Sequence, residues 1–337
     1  MKKKIFSAVK YLLLLSIGIG LMYLAFHGQD LNSIRDKIKD ADFSWVLLSL
    51  TVSVLAYLSR AMRWNMLVHS LGYKAKLKNT FWALMFGYFA NLAIPRLGEI
   101  SRCGALSRKE KIPFNELLGT VVIERVVDLF MLMVSFMVVA ILQFQILKEF
   151  VLKQISFHVY PAQHSFLFIV TSWWFMALML SPLVLLVFLQ VYFRRQAKKE
   201  SAMFVKISNL FLGIVKGLKT LMKMENNLLF IFHTLFIWSM YFIVSYVCFK
   251  SIAPTSHLDY KVGLFVLAIG GVGMTAPVQG GIGTYHLLVS SGLTLFGIKY
   301  NDALSYATIV HSSQTLLVIL MGIIAFVYFL KPNKSLI

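Results

Sequence analysis

Charged residues are scarce in this chain. Asp, Glu, Lys and Arg make up 14% of its 337 residues, whereas 58% are hydrophobic. A soluble domain usually carries about 25% charged residues. Several apolar runs here reach the roughly 20 residues that a helix needs to cross a bilayer. The composition therefore excludes an ordinary soluble protein and predicts an all-α polytopic membrane protein.

Cysteine is also scarce, and the motifs of common catalytic sites are absent from the sequence. Cys103 and Cys248 form no Cys-x-x-Cys pair, and we expect them at opposite faces of the membrane, without a disulfide. There is no His-Glu-x-x-His motif, nucleophile elbow, Walker loop or dinucleotide fingerprint. We therefore expect no metal, no cofactor and no ATP-driven step. If the chain transports a substrate, the transport would use an ion gradient or run downhill.

Acidic residues are few relative to basic ones, with 14 Asp and Glu against 33 Lys and Arg and a net charge of +19. In a membrane protein such an excess marks cytoplasmic loops before it indicates nucleic acid. The basic residues cluster at the N-terminus, at residues 74–78, in the loop 194–226 and after residue 330. We predict a multi-pass protein of the cell (cytoplasmic or inner) membrane with both termini cytoplasmic, and no nucleic-acid partner.

Six apolar segments predict spanning helices. They are residues 5–26, 44–68, 118–146, 166–193, 227–250 and 303–330. The first has no clear small-x-small cleavage site, so we interpret it as an uncleaved helix. In residues 203–223, apolar residues and lysines fall on opposite sides of a helix. This pattern predicts an interfacial helix on the cytoplasmic leaflet or, alternatively, a solvated connector.

Two further apolar stretches are too short or too broken to be ordinary spans. Residues 79–94 end at Pro95 and residues 262–276 end at Pro277, and each is followed by a glycine-containing turn and a second short segment. Backbone of this kind is tolerated at membrane depth when protein or a watery cavity covers it. We predict two re-entrant hairpins, an interpretation that also keeps the basic residues 102–111 on the cytoplasmic side.

Residues 95–130 are weakly similar to residues 277–314, which indicates an internal repeat. Both stretches begin with a proline and a glycine-containing break, pass an Ile-x-x-Asn-acid motif, and enter a long apolar helix. Arg125 then matches His311, and Asp128 matches Gln314. We predict one membrane domain over 1–337, with a first helix and loop (5–43), repeat one (44–146), a connecting part (147–226) and an inverted repeat two (227–330). Such symmetry is typical of alternating access around a midplane site, although accidental similarity between apolar helices is the alternative.

Ionisable residues inside predicted spans are the first candidates for a transport site. Arg60 and Arg63 share a helix face near Trp64, where they could bind an anionic headgroup or extend to the cytoplasmic headgroups. In the span after the first hairpin, Glu124, Arg125 and Asp128 also have same-face spacings, and their natural partners are the arginines of the first repeat. They could form a transport site or a structural ion-pair network, and one set of residues could serve both.

The two breaks supply the remaining candidates. At the first they are Asn91, Pro95, Arg96, Gly98, Glu99 and Arg102, and at the second they are Pro277, Gly280, Gly281, Gly283, His286, His311 and Gln314. Arg96, Glu99 and Arg102 recur at three-residue spacing and would form one polar stripe if their arm is helical. The N-terminus of that helix would face a phosphate at the break, and Asn91 could bond backbone groups there. The two histidines could be structural, carry protons or contact substrate.

At these motifs the chain resembles the transmembrane, flippase-like region of lysylphosphatidylglycerol synthases. The first motif, Arg60–Arg63–Trp64 and the Pro-x-x-Gly-Gly-x-Gly turn carry the resemblance, which covers roughly residues 10–330. The resemblance implies an integral membrane protein that moves an aminoacylated phospholipid between leaflets. Many members have a Glu after the glycine turn and an Arg in the last span, where this chain has His286 and His311.

These observations favour a lipid flippase or translocase for an anionic or aminoacylated phospholipid or a related lipid-linked substrate. The alternatives are a small-solute or ion-coupled transporter, the membrane part of a phosphatidylglycerol lysyltransferase system, and a non-transporting scaffold. We expect no lysyltransferase activity from this chain, because its longest polar stretch, 194–226, is too short to form a tRNA-binding domain. The expected partners are membrane phospholipids, a second copy of the chain, or a separate lipid-modifying enzyme.

Overall fold

The computed structural model describes residues 15–143 and 226–330, which form helices joined by turns and short irregular segments, without a strand among them. The predictions for residues 5–14, for the span 166–193, and for the basic loop 194–226 with its amphipathic segment 203–223 lie outside the described residues. The bounds of the described helices are α1 (Leu15–Phe26), α2 (Leu31–Lys39), α3 (Phe43–His69), α4 (Leu77–Ala93), α5 (Leu97–Glu110), α6 (Phe114–Leu142), α7 (Asn227–Val247), α8 (Tyr260–Thr275), α9 (Thr284–Thr294) and α10 (Tyr300–Leu330).

Four helices of the described chain are long and apolar enough to cross a membrane. They are α3, α6, α10, and α7 together with the 3₁₀ turn Cys248–Ser251 that continues it. The prediction of a multi-pass all-α membrane protein is confirmed at this level. The helix α6 begins at Phe114, four residues before the predicted start, because Pro113 can precede a first helical turn without losing a needed N–H bond.

The helices α4 and α5 form an antiparallel pair, which we call the first hairpin. Its open ends are joined by the Glu110 carboxylate, which accepts hydrogen bonds from Lys76 N (2.9 Å) and Asn79 Nδ2 (2.6 Å). Nearer the turn, a Cβ placed on Gly87 would lie 2.8 Å from the carbonyl oxygen of Gly98. The two helices therefore approach backbone to backbone, as small residues allow in membrane helix pairs.

The helices α8 and α9 form the second hairpin, which is also antiparallel. Gly273 of α8 packs against the backbone of Tyr285 near the turn, and at the other end the rings of Phe265 and Phe296 lie 5.0 Å apart. The turn follows Pro277, and its glycines 280, 281 and 283 all have positive φ. Glycine adopts these angles without the cost that a Cβ adds, which explains the glycine-rich sequence here.

An apolar cluster fixes the first hairpin to its neighbours. It joins α3, α4, α5 and the start of α6, and its fully buried members are Trp64, Val68, Ala83, Cys103, Leu106 and Leu117. The helix α10 crosses α4 where Gly322 meets the side chain of Phe89, and farther along Tyr328 donates a hydrogen bond to Asn79. Cys103 and Cys248 are both buried and are not in a disulfide.

The described element order repeats: a long helix, two short helices and a long helix occur as α3–α6 and again as α7–α10. The first helices of the two sets lie antiparallel. Asp42 N, before α3, donates to Ser251 O, after α7, at 2.8 Å, whereas Ser59 contacts His233 near the opposite ends. Contacts divide the chain into two compact units, Met1–Val121 with Leu228–Ile337, and Val122–Asn227.

The close approach inside the first hairpin gives a test of the fold. The substitution Gly87→Ala should lower the free energy of unfolding by about 1–3 kcal/mol, because the new methyl group would press on the Gly98 carbonyl. Thermal unfolding of the purified protein in detergent measures this. The matched control is Gly104→Ala in α5, whose Cβ would meet no atom within 4 Å and which should be neutral or stabilising by up to about 1 kcal/mol. Equal unfolding temperatures for the two variants would contradict the packing.

Candidate functional site

The turns of the two hairpins meet. A Cβ on Gly280 of the second turn would lie 2.6 Å from Cδ2 of Leu92, at the end of α4. The helix α1 covers the same turn, since a Cβ on Gly283 would lie 2.7 Å from the Gly18 carbonyl. The two breaks that the sequence predicted are therefore neighbours inside one compact unit, although they lie about 185 residues apart in the chain.

The first turn is held by a side-chain amide. Asn91 Oδ1 accepts a hydrogen bond of 2.7 Å from the backbone N–H of Gly98, so the prediction that Asn91 bonds the freed backbone is confirmed. Arg96 has a φ of 63° and precedes α5, so it does not share the helical stripe predicted with Glu99 and Arg102. A left-handed conformation at a residue with a side chain costs roughly 1–2 kcal/mol, which marks Arg96 as a strained position at the break.

Arg60 and Arg63 point from α3 to α7. The side chain of Arg63 is completely buried and that of Arg60 is 5% exposed, so they do not extend to headgroups and that alternative is wrong. Arg60 Nη1 donates to the Tyr241 hydroxyl at 2.9 Å, and Arg63 Nη1 donates to Thr234 Oγ1 at 3.3 Å. Because burying a guanidinium is costly, these positions require the hydroxyl-rich face that α7 supplies.

Arg102 of the first hairpin lies over Trp64 of α3. Its Cζ is 4.7 Å from the ring centroid, a distance at which a cation is attracted to the indole face. Both side chains are buried, and Trp64 Nε1 donates to Thr120 Oγ1 at 2.8 Å. A buried guanidinium thus has an aromatic face beneath it and lies one helical turn beyond Gly98, within reach of the break.

The second turn is lined by imidazoles. The rings of His286 in α9 and His311 in α10 lie 4.8 Å apart in a T-shaped arrangement, and only 1% and 7% of these residues are exposed. His311 Nε2 bonds the Gly280 carbonyl at 2.8 Å. Gln314 lies one turn along α10 from His311, and Pro277 precedes the turn itself. His286 and His311 are thus neighbours at the second turn, and a common site that also includes Pro277 and Gln314 stays a prediction.

The candidates Glu124, Arg125 and Asp128 lie in the part of α6 that belongs to the second unit. Arg125 Nη1 and Asp128 Oδ2 are 3.9 Å apart, and Glu124 is fully buried. The i,i+3 ion pair agrees with the predicted same-face spacing. The predicted pairing of these three residues with the arginines of the first repeat stays a prediction.

Several residues of this region were not predicted from the sequence. Thr234 and Tyr241 bond the two arginines, and Gln279 and Ser290 place buried polar atoms around the second turn. A signal did exist for Ser290, because it lies four residues after His286 and so on the same helix face. Thr234 and Tyr241 are seven residues apart in an apolar helix, a spacing that also repeats on one face.

The described residues contain no group of three or more His, Cys, Asp or Glu side chains that could hold a metal ion. What the geometry offers at the two breaks is the buried Arg102 guanidinium in the first hairpin and two imidazoles at the second turn. Guanidinium and imidazole groups bind phosphate and carboxylate oxygens. The arrangement can therefore bind an anion.

Comparison with known proteins agrees with this architecture. The family described as the lysylphosphatidylglycerol synthase TM region matches residues 11–322, and the chain belongs to this family. It is also similar to a UPF0104 membrane protein from Methanocaldococcus jannaschii, with 32% identity over 120 residues, which is 35% of each chain. The match thus spans about a third of that relative. No solved structure matches the chain significantly.

The contact between Arg102 and Trp64 gives a second test. Replacing Trp64 by Phe removes the N–H that bonds Thr120 and weakens the attraction to the guanidinium, so the free energy of unfolding should fall by about 1–3 kcal/mol. Chemical or thermal unfolding in detergent measures the loss. The control is Trp45→Phe in the same helix, where the indole is 36% exposed and the change should be within about 0.5 kcal/mol. A loss of the same size at both positions would argue against the stacked arrangement.

Proposed function

We propose that this protein is a lipid flippase or translocase, which moves an anionic or aminoacylated phospholipid, or a related lipid-linked substrate, between membrane leaflets. The observation that carries the proposal is the contact between the turns of two broken-helix hairpins, Leu92 against Gly280, with buried cationic side chains nearby. Paired discontinuous helices that meet at one point are typical of transporter sites. The chain belongs to a family that is named for the membrane region of a lipid-modifying enzyme, and this supports a lipid as the substrate.

The membrane topology that we propose has six spans and two re-entrant hairpins. The helices α4, α5, α8 and α9 have 17, 14, 16 and 11 residues, fewer than the roughly 20 that a span needs. Because α4 and α5 are antiparallel, the basic residues at both open ends lie together, as a cytoplasmic position would require. The protein would then lie in the cytoplasmic (inner) membrane, with both termini in the cytoplasm.

An inverted repeat would explain why the helix order occurs twice. Supporting this, α3 and α7 run antiparallel, which is the relation that the first helices of two inverted repeats must have. In transporters built this way the substrate site lies near the bilayer midplane, where the discontinuous helices end. The turn at Pro95 and the turn at Pro277 would occupy that depth.

The headgroup phosphate would be recognised by arginines. Arg102 and Arg63 are buried, and each lies against an aromatic ring, Trp64 and Phe230 respectively. A guanidinium presents a planar fork that binds two phosphate oxygens, which suits a phosphodiester better than a lysine would. We further propose that a separate lipid-modifying enzyme supplies the substrate, and that a second copy of the chain is a possible partner.

The proposal is tested by lipid movement in reconstituted vesicles. Labelled phosphatidylglycerol, lysylphosphatidylglycerol and a polyprenyl-phosphate lipid are compared with a soluble organic phosphate. We expect transbilayer movement of one lipid class, slowed roughly tenfold or more by Arg63→Gln, because a charge-assisted hydrogen bond contributes about 1.5–3 kcal/mol. Arg35→Gln, at an exposed position of α2, is the matched control and should not change the rate.

The outcomes separate the candidate functions. Movement of the soluble phosphate alone would replace the flippase by a small-solute transporter. Absence of movement for every probe, in vesicles where the protein is shown to be folded, would contradict transport altogether.

The strain at Arg96 gives a further prediction. Both Arg96 and Lys111 have left-handed backbone angles, with φ of 63° and 57°. Replacing either by glycine should leave stability equal or raise it by up to about 1 kcal/mol, since glycine accepts these angles without strain. If Arg96 serves the substrate, only Arg96→Gly should slow lipid movement, and Lys111→Gly is the control. Unfolding temperature and transport rate are measured on the same samples, and equal rates for both variants would remove Arg96 from the site.

A further inference from the structure

The two hairpins differ in how they carry charge. The first contains Arg96, Glu99 and Arg102 at and after its turn, whereas residues 262–298, which include the whole second turn, contain no Asp, Glu, Lys or Arg. Apart from tyrosine, His286 is the one titratable side chain in that stretch. Any positive charge within residues 262–298, around the second turn, must therefore be a proton on this histidine; Lys261 lies at the far end of α8.

The hydrogen bond at the turn fixes the tautomer of the neighbouring histidine. His311 Nε2 lies 2.8 Å from the Gly280 carbonyl, and a carbonyl oxygen only accepts. Nε2 of His311 therefore carries the hydrogen, and in the neutral ring Nδ1 holds the lone pair. His311 is anchored to the backbone of the turn, so its ring is held in position for His286, 4.8 Å away.

The ring of His286 is buried without a bond to either nitrogen. Within the described residues neither Nδ1 nor Nε2 has a hydrogen-bond partner, and the buried Ser290 Oγ and Gln279 Nε2 also lack one. Ser290 lies one turn along α9 from His286, and Gln279 precedes the glycine that His311 bonds. Buried polar atoms are nearly always bonded, so this cluster indicates a ligand or water. An amide N–H₂, a hydroxyl and an imidazole offer mostly donors, which suits a ligand rich in acceptor oxygens.

The ring contacts and the hydrogen bond described for the pair involve uncharged partners, namely Phe26, Tyr285 and the Gly280 carbonyl. The helix α8 contributes no titratable side chain between residues 262 and 275. The titratable side chain in ring contact with His311 is Tyr285 of α9, at 5.4 Å, and Tyr306 of α10 and Cys248 after α7 lie close to Tyr285. On the other sides, α1 presents Tyr23 and His27, which contact each other, and Asp302 of α10 is ion-paired with Lys37 of α2.

None of the hydrogen bonds described for His286 and His311 involves a carboxylate. A protonated His286 would present two N–H donors for which the described residues give no acceptor. An isolated charge in such a place is costly unless an opposite charge enters with it. A phosphodiester headgroup brings one negative charge and several acceptor oxygens.

We propose, on the basis of the proposed lipid transport, that the His286–His311 pair binds one proton together with the phosphate of an anionic lipid and so couples transport to a proton gradient. The proton comes from water on the donor side and forms an N–H bond on His286 or His311. The headgroup carries a charge of −1, so the loaded site gains no net charge. Proton and headgroup leave on the other side, and the neutral pair is restored. Two protons at once are excluded, because adjacent imidazolium rings repel.

Vesicles with trace labelled phosphatidylglycerol and an imposed gradient of two pH units test the coupling. One proton per lipid should shift the ratio of label between the two leaflets toward roughly 100-fold, since each pH unit corresponds to a tenfold ratio. Phosphatidylcholine, whose headgroup has no net charge, should not respond to the gradient. A pH-sensitive dye inside the vesicles should report proton movement when phosphatidylglycerol is present.

Two variants test whether His286 and His311 are the groups that bind the proton. In His286→Gln and His311→Gln, which keep hydrogen-bonding ability and lose titration, the leaflet ratio should stay near 1 and the dye signal should vanish. His257→Gln, at an exposed position, is the matched control and should keep the wild-type ratio. Lipid movement in the wild type without a gradient response would overturn the coupling while leaving the flippase intact. The same conclusion follows if both variants keep the ratio.

A second measurement stays decisive if a variant does not move lipid. In protein labelled with ¹⁵N-histidine, the ring nitrogens of His286, assigned by loss of their signals in His286→Gln, should shift to the imidazolium range when phosphatidylglycerol is added. Phosphatidylcholine should leave them unchanged. Protonation with phosphatidylglycerol but no lipid movement would support the proton site and contradict the flippase. Unchanged ring signals with both lipids would overturn the proton site.

Discussion

The backbone contact between α4 and α5 is the constraint on which the described site depends. Gly87 and Gly98 let the two helices touch, and at this distance Asn91 can reach the N–H of Gly98 and close the break. An unsatisfied backbone group in apolar surroundings costs several kcal/mol, so a broken helix at membrane depth needs such a bond. The position of Leu92 against Gly280, and with it the meeting of the two turns, follows from this packing.

The two hairpins reach the same place by different chemistry. In the first, the turn is closed by a side chain, and Arg96 takes a left-handed angle that glycine would adopt more easily. In the second, three glycines supply the positive angles, and the His311 ring bonds the turn from the neighbouring helix. The turn of the first hairpin thus carries permanent charge, and the turn of the second carries charge only when a histidine is protonated. This asymmetry lies within a helix order that is otherwise the same in both halves.

Hydropathy predicted the long helices well, because apolar length alone defines a span. Residues 44–68 and 303–330 appear as Phe43–His69 and Tyr300–Leu330, and the prolines 95 and 277 mark true breaks. The hydrogen-bond partners could not be predicted in the same way. Arg60 bonds a tyrosine 181 residues away, a pairing that depends on how α3 and α7 pack and that no local pattern encodes. The left-handed backbone angle at Arg96 could not be predicted either, because nothing in an arginine side chain favours that angle.

The contacts also indicate which parts could move if the protein transports lipid. Within the first hairpin the helices meet through backbone atoms, and a carboxylate bonds their open ends, so separating them would break several bonds at once. Between the hairpins, the contact of Leu92 with Gly280 is apolar and small. Transitions between two arrangements exchange weak contacts while packed elements stay intact. Alternating access in this fold would therefore move one hairpin against the other as a rigid body. Because His311 belongs to α10, its bond to Gly280 would break unless α10 moved with the second hairpin.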